Sequence, residues 1–514
     1  MDTQEFLYDS VPYPSFTFPQ THPDRLASIA AYYGLDAAPP YDCRVLELGC
    51  GDGTNLLSMA YALPASRFVG IDLSSVHIDD AKHAAGSLSL ANIEFRQEDV
   101  VKLNTEELGE FDFIIAHGLY SWVPDFVREA VLTIYEECLA SHGIGYISYN
   151  AYPGCYLRDM TRGMMRFHAG DVADPLEKVE HGKSVLRFVS EAAESDSIYQ
   201  TMLKLELGQI EERSVQNVFH DDFADINQPF YLHEFVRQIE GKGLQYISDA
   251  DPVAMNTGDL PAEARKSLNA LGDDLIKLEQ YLDFVKCRRF RSSLICRSGL
   301  SLNRDQQPSI LNGLLVASHV ESEGSMDEIA NPVPMKFIGP NGASLEINHP
   351  LTKASLIHLR SIWSRSIAFP ELMIEAKRSL IGFDDSTFED ESERAAAFLI
   401  QLYGAGFVKF HKHTPNFAHG ASEFPTASKF ARWQISRGSK SVTTLSGLNL
   451  EPEFEAVRTL ISLLDGTRDR TMLFNEMKEM FDVPSDQRSA FEAQLPEMIG
   501  SNLTKLAESG LLER

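Results

Sequence analysis

The chain has 514 residues, 44% of them hydrophobic and 23% charged, with a formal net charge of −28. That length points to about two to four domains, and the acidic balance repels phosphate backbones, which excludes general nucleic-acid binding and leaves lysine-rich polypeptides as partners. No apolar run approaches the ~18 residues of a membrane helix and no secretory leader opens the chain, so a cytoplasmic protein without membrane insertion is expected.

Residues 1–40 start with an aromatic, proline-rich stretch from Tyr8 to Pro23, held extended by its prolines. From Asp24 to Gly34 the apolar residues Leu26, Ile29, Ala30 and Tyr33 mark one helical face that ends at a glycine. Next comes Val45-Leu-Glu-Leu-Gly-Cys-Gly-Asp-Gly-Thr54, an apolar strand, a glycine turn and the start of a helix. Glycine serves there because the backbone takes positive φ and a Cβ would push a ligand away. The spacing is Gly-x-Gly-x-Gly and not the Gly-x-Gly-x-x-Gly of dinucleotide sites. With Glu47 ahead of it, the turn suits a ligand with an amino-acid tail where a dinucleotide has phosphates, and S-adenosylmethionine is that ligand.

The following elements fall where a doubly wound sheet places them. Arg67 to Asp72 is a second strand, ending in an acid roughly 20 residues past the glycines, able to accept both ribose hydroxyls. Ile93 to Val100 is a third, whose Asp99 can accept from the adenine amine. Phe111 to His117 and Gly145 to Asn150 are the fourth and fifth. Residues 153–228 read as a helical insertion, with helical patterns over Met160 to His168, Leu176 to Ala192 and Ile198 to Glu211. A helix from Tyr231 to Glu240 and strands over Gly243 to Ser248 and Arg288 to Arg297 close the sheet, with a small helical insertion from Pro261 to Phe284. His220-Asp-Asp222 has a metal-like composition, but no second cluster accompanies it, and a helix cap is the preferred reading. Residues 299–332 read as a linker. Beyond it, Leu356 to Lys409 and Val457 to Arg514 repeat one order of features, helices and then a glycine re-entry into an apolar strand, as in winged-helix units. Acids such as Asp384, Asp385, Glu476, Glu479 and Asp482 give both units the wrong sign for DNA. Lys429 to Lys440, the one basic stretch nearby, reads as a solvated linker. The six cysteines show no Cys-x-x-Cys spacing, so no zinc and no disulfide framework are indicated. Cys50, inside the glycine turn, is placed near the ligand.

On these motifs the chain resembles the class I S-adenosylmethionine-dependent methyltransferases. Pro12-Tyr-Pro-Ser, Phe18 to Arg25, Ala116 to Pro124 and Ser148 to Gly154 resemble the bacterial enzymes that carry a methyltransferase regulatory domain, the rickettsial protein-lysine methyltransferases among them. The resemblance implies an α/β fold: a Rossmann-like seven-stranded sheet over 41–152 and 229–298, a helical insertion over 153–228, and tandem α+β winged-helix-like domains over 333–425 and 426–514. It implies that residues 1–40 cover the cofactor, that S-adenosylmethionine is held by Glu47, Gly49, Cys50, Gly51, Asp72, Leu73, Asp99, Val100 and His117, and that the enzyme is a homodimer. Methyl transfer is an in-line displacement that chiefly needs alignment and exclusion of water. The acceptor side then falls to Tyr120, Asn150 and Tyr152, past the fourth and fifth strands, with Trp122 and Ser121 as lesser candidates. A lysine of a protein substrate is the expected acceptor. A small molecule is the alternative, as is a cofactor-sensing scaffold without turnover.

Overall fold

A computed structural model describes all residues except 1–10, 12, 14–15, 273, 325–327, 341, 482–483 and 485. Pro12, Pro14 and Ser15 of the Pro12-Tyr-Pro-Ser motif, the start of the Tyr8 to Pro23 stretch and Asp482 therefore lie outside the described residues. Seven strands form one sheet in the order β3-β2-β1-β4-β5-β7-β6. They are β1 (Arg44–Leu48), β2 (Arg67–Asp72), β3 (Ile93–Gln97), β4 (Phe111–Ala116), β5 (Leu139–Asn150), β6 (Leu244–Asp249) and β7 (Phe290–Arg297). β1 to β5 run parallel, and β7 lies antiparallel between β5 and β6. The chain leaves β1 toward β2 on one side and meets β4 on the other, so the carboxyl ends of these strands open a crevice at the switch point.

Period-two alternation divides the sheet's side chains between two cores. Val45, Phe113, Ile115 and Tyr146 pack beneath α1 (Pro23–Tyr32), α2 (Thr54–Ala62) and α3 (Ser75–Leu88). Their neighbours Leu46, Ile114 and Ile147 pack beneath α4 (Asp125–Cys138) and the helix Leu232–Glu240. The third strand stops at Gln97, two residues short of the acid expected to end it.

Residues past β5 form four helices, Cys155–Ala169, Pro175–Ala192, Ile198–Glu212 and Val215–Phe223, around a small core that includes Met165, Val179, Leu186 and Ile210. His220, Asp221 and Asp222 lie within the fourth helix and do not cap it. The fully buried Asp222 receives Arg158 at 3.1 Å and Arg213 at 2.6 Å, so this acid ties helices together and is not a metal ligand set. Among the described residues no group of His, Cys, Asp and Glu is arranged for a metal ion, and no helix is long and apolar enough to cross a membrane.

The stretch expected as a linker is structural. Leu315–Ala317 is the central strand of a three-stranded sheet, between Ile367–Ala368 and Lys409–His411. Leu311, Leu314, Val316 and Val320 are buried with Leu356, Leu372, Leu399 and Phe410. Ser, Asn and Gly between these positions make the composition polar, while the apolar residues Leu311, Leu314, Val316, Val320 and Ile329 are buried. Two units follow the sheet domain, and each runs through three helices into an extended return: Pro350–Ser361, Phe369–Arg378 and Phe388–Gly404 in the first, Glu455–Leu463, Arg470–Met480 and Arg488–Glu508 in the second. Lys429–Ser436 is also a helix and not a solvated linker; its basic residues Lys429 and Arg432 are half-buried, and Phe430 and Trp433 pack into the core that holds α2 and α3.

Candidate active site

The turn after β1 is stitched to the end of β2 by Gly49 N and Cys50 N, which donate to Ile71 O at 2.8 and 3.1 Å. Gly49, Gly51 and Gly53 have φ of 71°, 55° and 74°. A Cβ on Gly51 would meet nothing within 4 Å, whereas one on Gly53 would sit 2.4 Å from the Phe95 ring. Gly51 thus faces the open crevice and Gly53 lets Phe95 pack beneath the turn. Cys50 corrects the expectation placed on it: its side chain points down into the core toward Gly70, and burial holds its thiol protonated.

Asp72 closes the turn from the other side. Its carboxylate accepts from Gly51 N and Ser74 N, both at 2.9 Å, so it is fixed in orientation and keeps lone pairs for further donors. Leu73, next to it, is 51% exposed, an apolar side chain left uncovered at the crevice rim. Asp99 accepts from Val101 N at 3.0 Å and pairs with Lys102 at 3.0 Å. The Lys102 contact holds its carboxyl below the ordinary range. Val100 is half-buried and packs against the sheet core.

Glu47 is buried at the end of β1. One carboxylate oxygen accepts from Asn55 Nδ2 at 2.9 Å and the other has no partner. Burial, opposed by Asn55 and reinforced by Asp72, raises its pKa to about 8. Asn55 is the residue that sequence reasoning missed. It also donates to Thr21 Oγ1 at 3.1 Å and accepts from Phe18 N at 2.9 Å, clamping the N-terminal segment across the glycine turn. A polar side chain in the first turn of an otherwise apolar helix was the available signal.

Phe18 in that segment lies 3.8 Å, ring to ring, from His117, which follows β4. His117 Nδ1 is 3.0 Å from the Tyr146 hydroxyl, and burial lowers its pKa to about 4, so the imidazole is neutral at physiological pH. On the neighbouring strand Ala116 pairs with Ile147, which sets Asn150 about two residues above the level of His117. Asn150 Nδ2 donates to Asn227 Oδ1 at 2.7 Å, and Asn227 Nδ2 remains a buried donor without a partner. Tyr152 stacks on Tyr156 at 4.2 Å and leans on Tyr231 at 5.4 Å, giving a partly exposed aromatic wall. Burial raises its pKa to about 12.

Three acceptor candidates turn out to be scaffolding. Tyr120 is fully buried among Tyr149, Phe230 and Phe235, and its hydroxyl is used by Gln238 at 2.6 Å. Trp122 lies under the Arg158 guanidinium at 5.7 Å, at the seam between sheet and insertion. Ser121 accepts Asn150 N at 2.8 Å and fixes the end of β5. Aromatic residues past a strand end look alike in sequence whether they face a ligand or a neighbouring helix.

The donor set fits S-adenosylmethionine. An unpaired buried carboxylate oxygen at Glu47 suits an ammonium, the fixed Asp72 carboxylate suits a pair of hydroxyls, and the space above Gly51 admits a ligand close to the backbone. Residues 41–168 match the family described as "Methyltransferase domain". Residues 214–297 match "Predicted methyltransferase regulatory domain", and 423–511 match "PKMT, C-terminal winged helix domain". The uncharacterized protein RP789 of Rickettsia prowazekii is 32% identical over 379 residues, covering 73% of this chain and 68% of its own. The chain belongs to the class I S-adenosylmethionine-dependent methyltransferases with a methyltransferase regulatory domain.

In three dimensions the regulatory segment holds the last insertion helix, the helix Leu232–Glu240, and β6 and β7 with the helices Ala262–Asn269 and Leu275–Lys286 between them, so in this methyltransferase it completes the catalytic sheet. A second Rickettsia prowazekii protein, RP028, is 33% identical over 246 residues, 48% of this chain and 98% of its own. Among solved structures, PKMT2 from Rickettsia typhi superposes with a TM-score of 0.87 at 26% identity, over 98% of this chain and 100% of its own. The same protein in complex with AdoHcy gives 0.86. The enzyme is an S-adenosylmethionine-dependent methyltransferase.

Proposed function

We propose that this methyltransferase N-methylates lysine side chains of a protein substrate, as a cytoplasmic homodimer. The observation that supports the reading best is the likeness to Rickettsia typhi PKMT2 along 98% of the chain, through the C-terminal units and not the sheet alone. PKMT abbreviates protein-lysine methyltransferase. When bound, S-adenosylmethionine supplies a sulfonium methyl group open to in-line attack by a neutral amine.

In this reading Glu47, held by Asn55, receives the cofactor's ammonium, and Asp72 orients the ribose. Asp99, Leu73 and Val100 border the adenine. The neutral His117 imidazole places no positive charge against either a sulfonium or an incoming ammonium. A lysine must shed a proton before it attacks, and the Tyr152 wall desolvates it and lowers its pKa. Asn150 accepts a hydrogen bond from the amine and aims its lone pair, and the N-terminal segment over Asn55 and His117 keeps water out. For the dimer, the insertion leaves Phe167, Leu176, Phe188, Ile198 and Leu205 each more than half exposed, an apolar face that a second copy would cover. Light scattering should give twice the chain mass.

The test is transfer of tritiated methyl to lysine-containing polypeptides, followed by acid hydrolysis. N-methyl-lysine is the expected radioactive product. Label confined to small molecules of a cell extract favours the small-molecule acceptor, and binding without transfer to either favours the scaffold.

A further inference from the structure

A cavity of about 780 Å³ lies where four parts of the chain meet: the N-terminal segment, the ends of β6 and β7, the first C-terminal unit and the winged-helix domain. It shares a wall with the methyl-transfer crevice. Phe290 and Ser292 line it, Ser292 Oγ accepts from the Tyr146 hydroxyl at 2.9 Å, and that hydroxyl contacts His117. Pro19 and Gln20, the residues after Phe18, line it as well.

In a chain of net charge −28 its lining is formally balanced, Arg25, Lys409 and Lys505 against Asp24, Asp251 and Glu508. Arg25 and Lys409 both line it, and the Arg25 charge adds to burial in lowering the Lys409 pKa. Arg25 spends only its Nε–H, on Ala250 O at 3.3 Å, and neither cation has an acid within ion-pair distance among the described residues. Asp24, the nearby acid, is consumed by His411 at 2.7 Å and by the backbone amides of Lys412 and His413. Asp251 caps a short turn through Val253 N, and Glu508 is exposed at the rim. His22, also in the lining, is 7% exposed and its Nδ1 accepts from Asp24 N at 3.2 Å, while its Nε2 is buried with no hydrogen-bond partner among the described residues.

Two cations without an ion-pair partner among the described residues, next to acids that are either engaged or at the rim, suit this wall of the cavity to an anion beside the acceptor crevice. We propose that this cavity binds a carboxylate side chain of the polypeptide being methylated, so that the enzyme selects lysines with a glutamate or aspartate nearby in the sequence. The proposal rests on the lysine reading given above and names its substrate class more closely. Charge-assisted contacts to one carboxylate are worth about 10- to 100-fold in binding.

The test uses the full-length enzyme and synthetic peptides with one lysine and a single Glu, or Gln in its place, at each of the four positions on either side. Wild type should prefer at least one Glu peptide over its Gln twin by about 10-fold or more in kcat/KM, chiefly through KM. In Lys409→Gln and in Arg25→Gln that ratio should fall toward one. Equal use of Glu and Gln peptides by wild type, or a preference that survives in both variants, overturns the proposal. If no peptide is methylated, the lysine reading fails separately, and calorimetry with a lysine-free Glu peptide decides the cavity: binding that weakens about 10-fold in Lys409→Gln keeps the anion site, and no binding removes it. Tight binding of free glutarate with no preference among peptides would make the site one for small anions and would also overturn the proposal.

Discussion

Glu47→Gln should stabilise the cofactor-free enzyme at alkaline pH while weakening the cofactor. Burial raises the Glu47 pKa from the model-compound 4.5 to about 8. Between those values the unfolded chain has released a proton that the folded chain keeps. The unfolded state then binds fewer protons, and stability falls as pH rises. Each pH unit well inside that window costs about 1.4 kcal/mol, and since the folded carboxyl is half ionised at pH 8 the step from pH 6 to 8 costs about 2 kcal/mol. For a domain of this size that corresponds to roughly 5–10 °C of Tm. Gln keeps the acceptor for Asn55 Nδ2 and has no charge to bury. Scanning calorimetry of the cofactor-free proteins at pH 6 and 8 should show wild type losing more Tm than the variant. Titration with S-adenosylmethionine at pH 8 should show about 10- to 150-fold weaker binding to the variant, with a smaller gap at pH 6, where wild-type Glu47 is itself protonated. Parallel Tm curves for the two proteins would refute the assignment of a destabilised, cofactor-seeking carboxylate.

The glycines should separate binding from folding. Gly51→Ala puts a Cβ into the open crevice at positive φ and should weaken S-adenosylmethionine about 10-fold or more with a modest loss of Tm, whereas Gly53→Ala drives a Cβ into Phe95 and should lower Tm or yield in the first place. Equal effects of both on cofactor affinity per degree of Tm lost would count against the division of roles. Asn150→Ala should lower the turnover number by about 100-fold while calorimetric affinity for the cofactor stays within a few-fold, because the group acts on the nucleophile. Weak cofactor binding with normal turnover at saturation would move Asn150 to the cofactor side.

The strands themselves and the glycine turn were legible because both rest on local rules. Alternation at Val45 and Leu46 or Phe113 and Ile114 assigns faces within one strand, and the positive φ of Gly49 and Gly51 is a property of the turn alone. What stayed hidden depends on contacts distant in sequence. Tyr120 reads as a ligand-facing aromatic until Gln238, 118 residues later, takes its hydroxyl. The stretch 299–332 reads as polar until the strands at Ile367–Ala368 and Lys409–His411 claim Leu315–Ala317. Phe430 and Trp433 sit in a basic run whose partner, the layer of α2 and α3, lies more than three hundred residues earlier. Cys50 is subtler, since the turn is locally predictable but the direction of one side chain in it is set by Phe95 and Gly70 beneath.

The N-terminal segment gives these distant parts a common mechanical element. Phe18 N and Thr21 are tied to Asn55, and through it to Glu47, while the Phe18 ring covers His117. One residue earlier, Thr17 O accepts from Asn449 Nδ2 at 2.8 Å, which fastens the same segment to the winged-helix hairpin. Asp24, at the start of α1, holds His411 and two backbone amides of the first C-terminal unit. Eight residues, Thr17 to Asp24, therefore touch the cofactor carboxylate's support, the roof of the acceptor side and both C-terminal units. On the proposed reading, a polypeptide seated between those units would press on the elements that shape the cofactor crevice. On that reading this segment would join recognition to methyl transfer by direct contact, with no need for a long-range relay.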